Sequence, residues 1–284
     1  MTVMSIAGLQ LALPANQDNF DTIAREVRNV KKRFPHIAMV VLSELATFGP
    51  APRYAEPLPG KTESRYAELA AETGLWLVNG SLFERAENRV YNTTSVLSPA
   101  GEVVARYRKM YPFLPYEEGI SAGDTPCVFT IPGMGTLGVS ICYDMWFPES
   151  IRALCWQGAE VIVHPTLTNT IDRDVELSIA RASAATNQCY MIDVNAASTM
   201  GVGRSLIVGP GGEVIHQSSV EHDVMVFDVD FDYVRRVRER GWQGLGQPLK
   251  SFRDHPVAWP QYQKDAHSET LDGLGALKKP DKLA

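Results

Sequence analysis

The stretch Pro99-Ala100-Gly101-Glu102-Val103-Val104 is echoed later in the chain by Pro210-Gly211-Gly212-Glu213-Val214-Ile215. A P-x-G-E turn alone is common chemistry, but here it falls at the same place in two matching series of elements. The first series opens with a buried strand over Val3 to Leu11. Next comes a helix with Phe20, Ile23, Val27 and Val30 at helical spacing, with Asn16 as its expected cap. The strand IAMVVLSE follows, and its unbroken apolar run from Ile37 to Leu42 requires cover on both faces. A helix over Lys61 to Thr73 and strands at LWLVNGSLF, VYNTTSVLS and EVVARYR complete the series. After a Pro/Gly-rich connection, the second series runs GTLGVSIC, a helix near Pro148 to Gln157, EVIVH, a helix over Asp174 to Gln188, then YMIDVNA, SLIVG and EVIHQ. Two similar β/α layers, sheet against sheet with helices outside, suit this repeat better than an unbroken eight-stranded barrel.

Composition bounds what such a chain does. With 284 residues, 45% hydrophobic and 21% charged, one large domain is expected, and residues 1–255 are assigned to it. The polar remainder, 256–284, carries Pro256, Pro260 and Pro280 and reads as a tail over the surface or a partner subunit. A net charge of −6 argues against a basic nucleic-acid binder. No apolar run approaches the ~20 residues that span a bilayer. The opening MTVMSIAGLQLALP has neither a basic segment nor a small-residue cleavage site, so a cytoplasmic location is expected. Cys127, Cys142, Cys155 and Cys189 form no C-x-x-C pair, and the six histidines form no H-x-x-x-H or H-E-x-x-H, so neither a disulfide scaffold nor a metal site is expected.

Three residues close predicted strands and border loops, where reacting side chains converge in layered α/β folds: Glu44, Lys109 and Cys142. A free cysteine is by default a small buried apolar residue. Cys142, however, ends its strand at a sharp turn before Tyr143-Asp144 and a helix opening at Pro148, which sets the sulfur near backbone N–H groups and favours a nucleophile. Glu44 follows six apolar residues, so burial should raise its pKa and suit it to acid/base work. Alternation along RYRK puts Tyr107 and Lys109 on one face and Arg106 and Arg108 on the other, so Lys109 points inward. A buried ammonium needs a carboxylate, which Glu44 or Glu117 can supply.

The ordered trio, with YRKMYPFLPYE around the lysine and GVSICYDMWFPE around the cysteine, resembles the nitrilase superfamily of carbon–nitrogen hydrolases, as do VNAAS and GRSLIVGPGGEVI further on. The resemblance runs from about Val3 to Asp230. It implies an α-β-β-α sandwich, a cofactor-free cysteine mechanism, and homodimers or higher homo-oligomers built through helices near the nucleophile strand. By that resemblance Glu44 takes the thiol proton and Cys142 attacks the carbonyl or nitrile carbon. Lys109 and the Tyr143 N–H hold the oxyanion. A second glutamate assists, at Glu117 or its neighbour Glu118.

Departures from the family pattern narrow the substrate. Ser43 stands where proline is usual, and Tyr143-Asp144 follows the cysteine where true nitrilases resemble one another in Trp-Glu, so an amide is preferred over a nitrile. Relatives acting on carboxylate-bearing substrates place arginine three or four residues past the cysteine. Here Met145 and Trp146 stand there, which favours a small neutral amide unless Arg173, Arg181 or Arg204 substitutes from another loop. Phe113, Tyr143, Trp146 and, from the HPTLTNT loop, Thr166 are the expected substrate contacts, while His164 is expected to be structural. Competing readings are a nitrilase or N-carbamoyl hydrolase with the same trio, a silent binding module, and a redox role for Cys142.

Overall fold

The computed structural model describes residues 2–263 and 265–279. The run at Ile37 to Leu42 shows how its layers arise. Strand β2 (Met39–Leu42) turns Met39 and Val41 into a core between two sheets, and Val40 and Leu42 into a second core under helices. Those helices are α1 (Phe20–Arg33) and α2 (Lys61–Thr73), which bury Phe20, Ile23, Val27, Tyr66 and Leu69. On the opposite side α3 (Pro148–Trp156) and α4 (Arg173–Asn187) cover the second sheet through Ile151, Leu154, Leu177 and Ala180. The result is the expected α-β-β-α layering.

In the first sheet, β1 (Val3–Gln10), β2 and β3 (Trp76–Val78) run parallel. The antiparallel strands β4 (Leu82–Ala86), β5 (Arg89–Leu97) and β6 (Val103–Arg108) extend it. The second sheet is ordered β12-β11-β10-β9-β8-β7, from β7 (Cys127–Ile131), β8 (Gly135–Val139), β9 (Val161–Pro165), β10 (Tyr190–Val194), β11 (Leu206–Val208) and β12 (Val214–Gln217). Strand β13 (Asp223–Asp230) then crosses back to pair with β1, and α5 (Phe231–Arg240) follows it.

The two echoed turns adopt the same hairpin. Ser98 N–H donates to the Glu102 carbonyl at 2.8 Å, and Gly209 N–H donates to the Glu213 carbonyl at 2.9 Å. Each hairpin carries a register shift just before its turn, at Val96/Leu97 and at Ile207/Val208.

Three details differ from the reading of the sequence. Asn16 is not the cap of α1: Asn19 holds that position, and the Asp18 carboxylate accepts from the Phe20 N–H instead. LWLVNGSLF forms two strands rather than one, because the chain breaks where the Ser81 hydroxyl turns to accept from Leu45 N–H at 3.0 Å. Strands β7 and β13 and helix α5 escaped notice, their alternation being masked by short length and charge.

Beyond α5 the chain forms short helices, α6 (Pro248–Asp254) and α7 (Glu269–Asp272), joined by irregular segments. This stretch lies against α3: Phe252 meets the Trp156 ring at 6.1 Å, and the Tyr262 hydroxyl donates to Glu149 at 2.8 Å. Of the tail assigned to 256–284, Lys264, Pro280 and the residues after Pro280 lie outside the described residues. Among the described residues, no helix is long and apolar enough to cross a membrane.

Candidate active site

Glu44 stands just past the end of β2, where its backbone N–H reaches across to the Thr166 carbonyl at the end of β9 (3.2 Å). Lys109 follows β6, and its N–H donates to the Asn92 carbonyl on β5 at 2.8 Å. The alternation expected of RYRK holds. Tyr107 and Lys109 are buried, whereas Arg106 and Arg108 turn outward to Glu63 and Glu84, at 2.7 and 2.6 Å.

The Lys109 ammonium, 1% exposed, sits between two carboxylates: 2.9 Å from Glu44 Oε1 and 2.8 Å from Glu117 Oε2. Glu117 also accepts from the Phe113 N–H, and the neighbouring Glu118 is exposed. Burial opposes the charge on Lys109, yet Glu44, Cys142 and Glu117 outweigh it and hold the ammonium well above its ordinary range. For Glu44 burial dominates and raises its pKa, with Lys109 partly compensating.

Cys142 opens a one-turn 3-10 helix, Cys142–Trp146, with φ at +48°, the left-handed region that non-glycine residues seldom adopt. This strained bend sets the thiol where the charges of Glu44 and Lys109 both act on it, and leaves the first N–H groups of the turn without intrahelical partners. Burial, reinforced by Glu44, pushes the Cys142 pKa well up, so the thiol rests protonated. Sulfur and base meet because the two sheets face each other: β2 delivers the carboxylate, and the strand end beyond β8 delivers the cysteine.

Two residues overlooked in the sequence hold this arrangement. Buried Asn92 Nδ2 donates to Glu44 Oε1 at 2.8 Å and to Glu117 Oε1 at 3.5 Å, tying the carboxylates together. Buried Asp144 accepts from the Tyr107 hydroxyl (2.7 Å), the Ile141 N–H (2.9 Å) and the Tyr111 N–H (2.8 Å). It thereby pins the lysine-bearing segment to the cysteine turn, and burial lifts its pKa to about 6. The only signal for Asn92 was a polar residue inside a strand that is otherwise buried.

Cys142 lies at the wall of a cavity of about 560 Å³. Phe113, Tyr143 and Trp146 line one side, with Phe113 and Tyr143 ring centroids 5.0 Å apart. Leu167 to Thr170, Asp172 and Glu176 line the other. Lys279 Nζ lies 5.6 Å from the centroid of Tyr116, another lining residue.

Thr166 does not reach the cavity. It is fully buried and works through its backbone, while Thr168, two residues on, faces the sulfur at 4.0 Å. The arginines named as substitutes are engaged elsewhere. Arg173 is bound to Asp193 and Glu176, Arg181 donates to the Gly212 carbonyl, and Arg204 pairs with Asp174. His164 is fully buried against Ser140 Oγ (3.1 Å), and burial lowers its pKa to about 3, which keeps it neutral.

Comparison with known proteins matches residues 5–239 to the carbon–nitrogen hydrolase family model. The chain belongs to that family. An omega-amidase of Xenopus tropicalis is 29% identical to this hydrolase over 264 residues, covering 87% of this chain and 93% of the relative. The deaminated glutathione amidase of Homo sapiens is 31% identical over 257 residues, 79% of this chain and 76% of the relative. Among solved structures, a cysteine-to-alanine mutant of the amidase from Nesterenkonia sp. AN1, in complex with butyramide, superposes on this hydrolase. The TM-score is 0.74 at 26% identity, covering 83% of this chain and 94% of that one.

Proposed function

We propose that this hydrolase converts a small primary amide without a carboxylate into a carboxylic acid and ammonia, through a thioester on Cys142. The observation that carries the reading is the meeting, at one cavity, of a half-buried thiol with a buried carboxylate and an ammonium 2.9 Å apart, whose charges both act on the sulfur.

Glu44 takes the thiol proton as sulfur bonds to the carbonyl carbon, and the C=O electron pair moves onto oxygen. Lys109 Nζ and the Tyr143 N–H receive that oxyanion, a contribution worth ~10²–10³ in rate for one donor. Collapse expels the amide nitrogen, which leaves as ammonia with the proton held by Glu44. Glu44 then deprotonates water as hydroxide adds to the thioester carbon; the C–S bond breaks, the Cys142 thiolate takes the proton back from Glu44, and the carboxylic acid leaves. Glu117 and Asn92 keep Glu44 and Lys109 in register, and Glu117 accepts from the substrate amide.

The amide preference is supported by the names of the amidase relatives, and the lack of a carboxylate by the neutral butyramide bound in the Nesterenkonia enzyme. Among the described residues, no arginine lines the cavity, and Lys109 beside Cys142 is engaged by Glu44 and Glu117. A cytoplasmic location and a homodimer through the α3 and α4 helices, with the tail 256–284 at the subunit interface, belong to the same proposal. An exposed Val175 and Ile171 at the start of α4 support the dimer.

The test is ammonia release by wild type and Cys142→Ala from neutral aliphatic and aromatic amides, omega-amides, N-carbamoyl amino acids and nitriles. Turnover of neutral amides by the wild type alone, with an acyl adduct on Cys142 by intact mass, is expected. Preferred turnover of nitriles or N-carbamoyl compounds would replace the amide reading, and an active Cys142→Ala protein would end the thioester mechanism. Sedimentation at micromolar concentration should give a dimer; a fully active monomer contradicts that part.

A further inference from the structure

Both threonines on the α4 side of the cavity have committed their only hydroxyl proton to a carboxylate. Thr168 Oγ1 donates to Glu176 Oε1 at 2.9 Å, and Thr170 Oγ1 donates to Asp172 Oδ2 at 2.7 Å. Toward the cavity these hydroxyls offer lone pairs, and an ionised carboxylate is an acceptor only. Thr168 Oγ1 stands 4.0 Å from the Cys142 sulfur, so the acceptors begin beside the reacting carbon of any bound acyl group.

This wall is built rather than incidental. Asn195 clamps Thr168 from both sides, accepting from its N–H at 2.9 Å and donating to its carbonyl at 3.0 Å. Glu176 is held by Arg173 at 3.2 Å, and Arg173 is locked by Asp193 at 2.8 Å and the Arg204 carbonyl at 2.9 Å. Arg173 therefore cannot swing out to neutralise the wall, and Thr168 cannot turn its proton away from Glu176 without leaving that carboxylate under-bonded.

Resting on the amidase reading above, we propose that this wall selects an amide whose acyl group carries a hydrogen-bond donor, a hydroxyl or an ammonium, within one or two bonds of the carbonyl. A plain alkyl group displaces water from Thr168 and Glu176 and returns nothing to them. A substrate carboxylate meets Glu176 and Asp172, while the cation beside Cys142, Lys109, is already bracketed by Glu44 and Glu117. A donor completes the hydrogen bonding that the protein leaves open, and sites of this kind discriminate more sharply than apolar pockets.

The test is the ratio of kcat/KM values within one protein, which cancels effects on the thiol chemistry. Propionamide, 2-hydroxypropionamide, 2-aminopropionamide and succinamate are compared in wild type, Thr168→Val and Glu176→Gln. In wild type the donor-bearing amides should exceed propionamide by about 10- to 100-fold, with succinamate below it. Thr168→Val should bring the ratio toward one. Loss in Glu176→Gln of the 2-amino advantage alone identifies the ammonium as the recognised donor, and equal loss of both advantages identifies a hydrogen bond indifferent to charge. Turnover of propionamide at or above the others in wild type overturns the inference while leaving the amidase reading intact, as does an unchanged ratio in Thr168→Val. No turnover of any amide overturns the amidase reading and this inference with it.

Discussion

Two buried cations, one from each half of the repeat, are bracketed by carboxylates in the same way and do opposite work. Lys109 lies between Glu44 and Glu117, and Arg173 between Glu176 and Asp193; each is 1% exposed. The lysine is a point charge on a flexible stem, so its ammonium can serve two carboxylates and still face a charge forming on substrate at Cys142. The arginine fork is spent on two carboxylates and a backbone carbonyl, which makes it a fastener. Equal charge bookkeeping thus yields a reactive site in one half and a wall in the other, and the difference lies in directionality.

Exchange and removal of these cations probe that difference most strongly. Lys109→Ala and Lys109→Arg should each lower kcat by on the order of 10³-fold or more, since the guanidinium cannot reproduce the position of the ammonium. Arg173→Lys should keep most activity. A Lys109→Arg protein with near wild-type kcat would remove the distinction. Arg173→Ala, which leaves Glu176 and Asp193 buried without their cation, should lose about 3–5 kcal/mol of stability by denaturant titration. A loss under about 1 kcal/mol would show that this pair is dispensable to the fold.

Asn92→Leu removes the donor shared by Glu44 and Glu117. Its expected effect is a drop in kcat of roughly 10- to 100-fold, with the acid limb of the kcat/KM profile moving to higher pH. The sign follows from Glu44 acting as base. Its pKa is already raised by burial, and losing a hydrogen bond to the charged form raises it further. An unmoved limb would mean that Asn92 only packs.

At neutral pH the smallest effect concerns His164, under the wall, whose contribution shows only in acid. Its folded pKa of about 3 lies below the unfolded value near 6.5, so its contribution to stability is complete above pH 6.5 and is lost as pH falls toward 3. Below pH 6.5, wild type should lose stability faster than His164→Asn, by about 1.4 kcal/mol per pH unit. Parallel decline in the two proteins would assign the acid sensitivity to other groups.

Much of this was legible before any coordinates. The periodic apolar residues of α1 and α2, the doubly covered run of β2 and the paired P-x-G-E turns each depend on neighbours a few residues away, so they were readable one segment at a time. Alternation along RYRK told which way Lys109 points. Cys142 was recognisable because its turn is local chemistry, and the order of Glu44, Lys109 and Cys142 carried the family likeness.

What stayed hidden depends on which surfaces meet. Thr166 and Thr168 occupy the same short loop, and only the crossing of that loop behind Cys142 decides that Thr168 faces the sulfur while Thr166 is buried. Arg173 looked available for a substrate carboxylate until α4 packed it against Asp193 of β10. Asn92 and Asp144 read as ordinary polar residues, and their importance comes from partners far along the chain, Glu44 for Asn92 and Tyr107 for Asp144. Period, turn and strand end are written locally because backbone geometry repeats over a few residues. The direction of each hydrogen bond in the site is settled only when the two sheets close on each other, for a buried polar atom must take whichever partner that packing supplies.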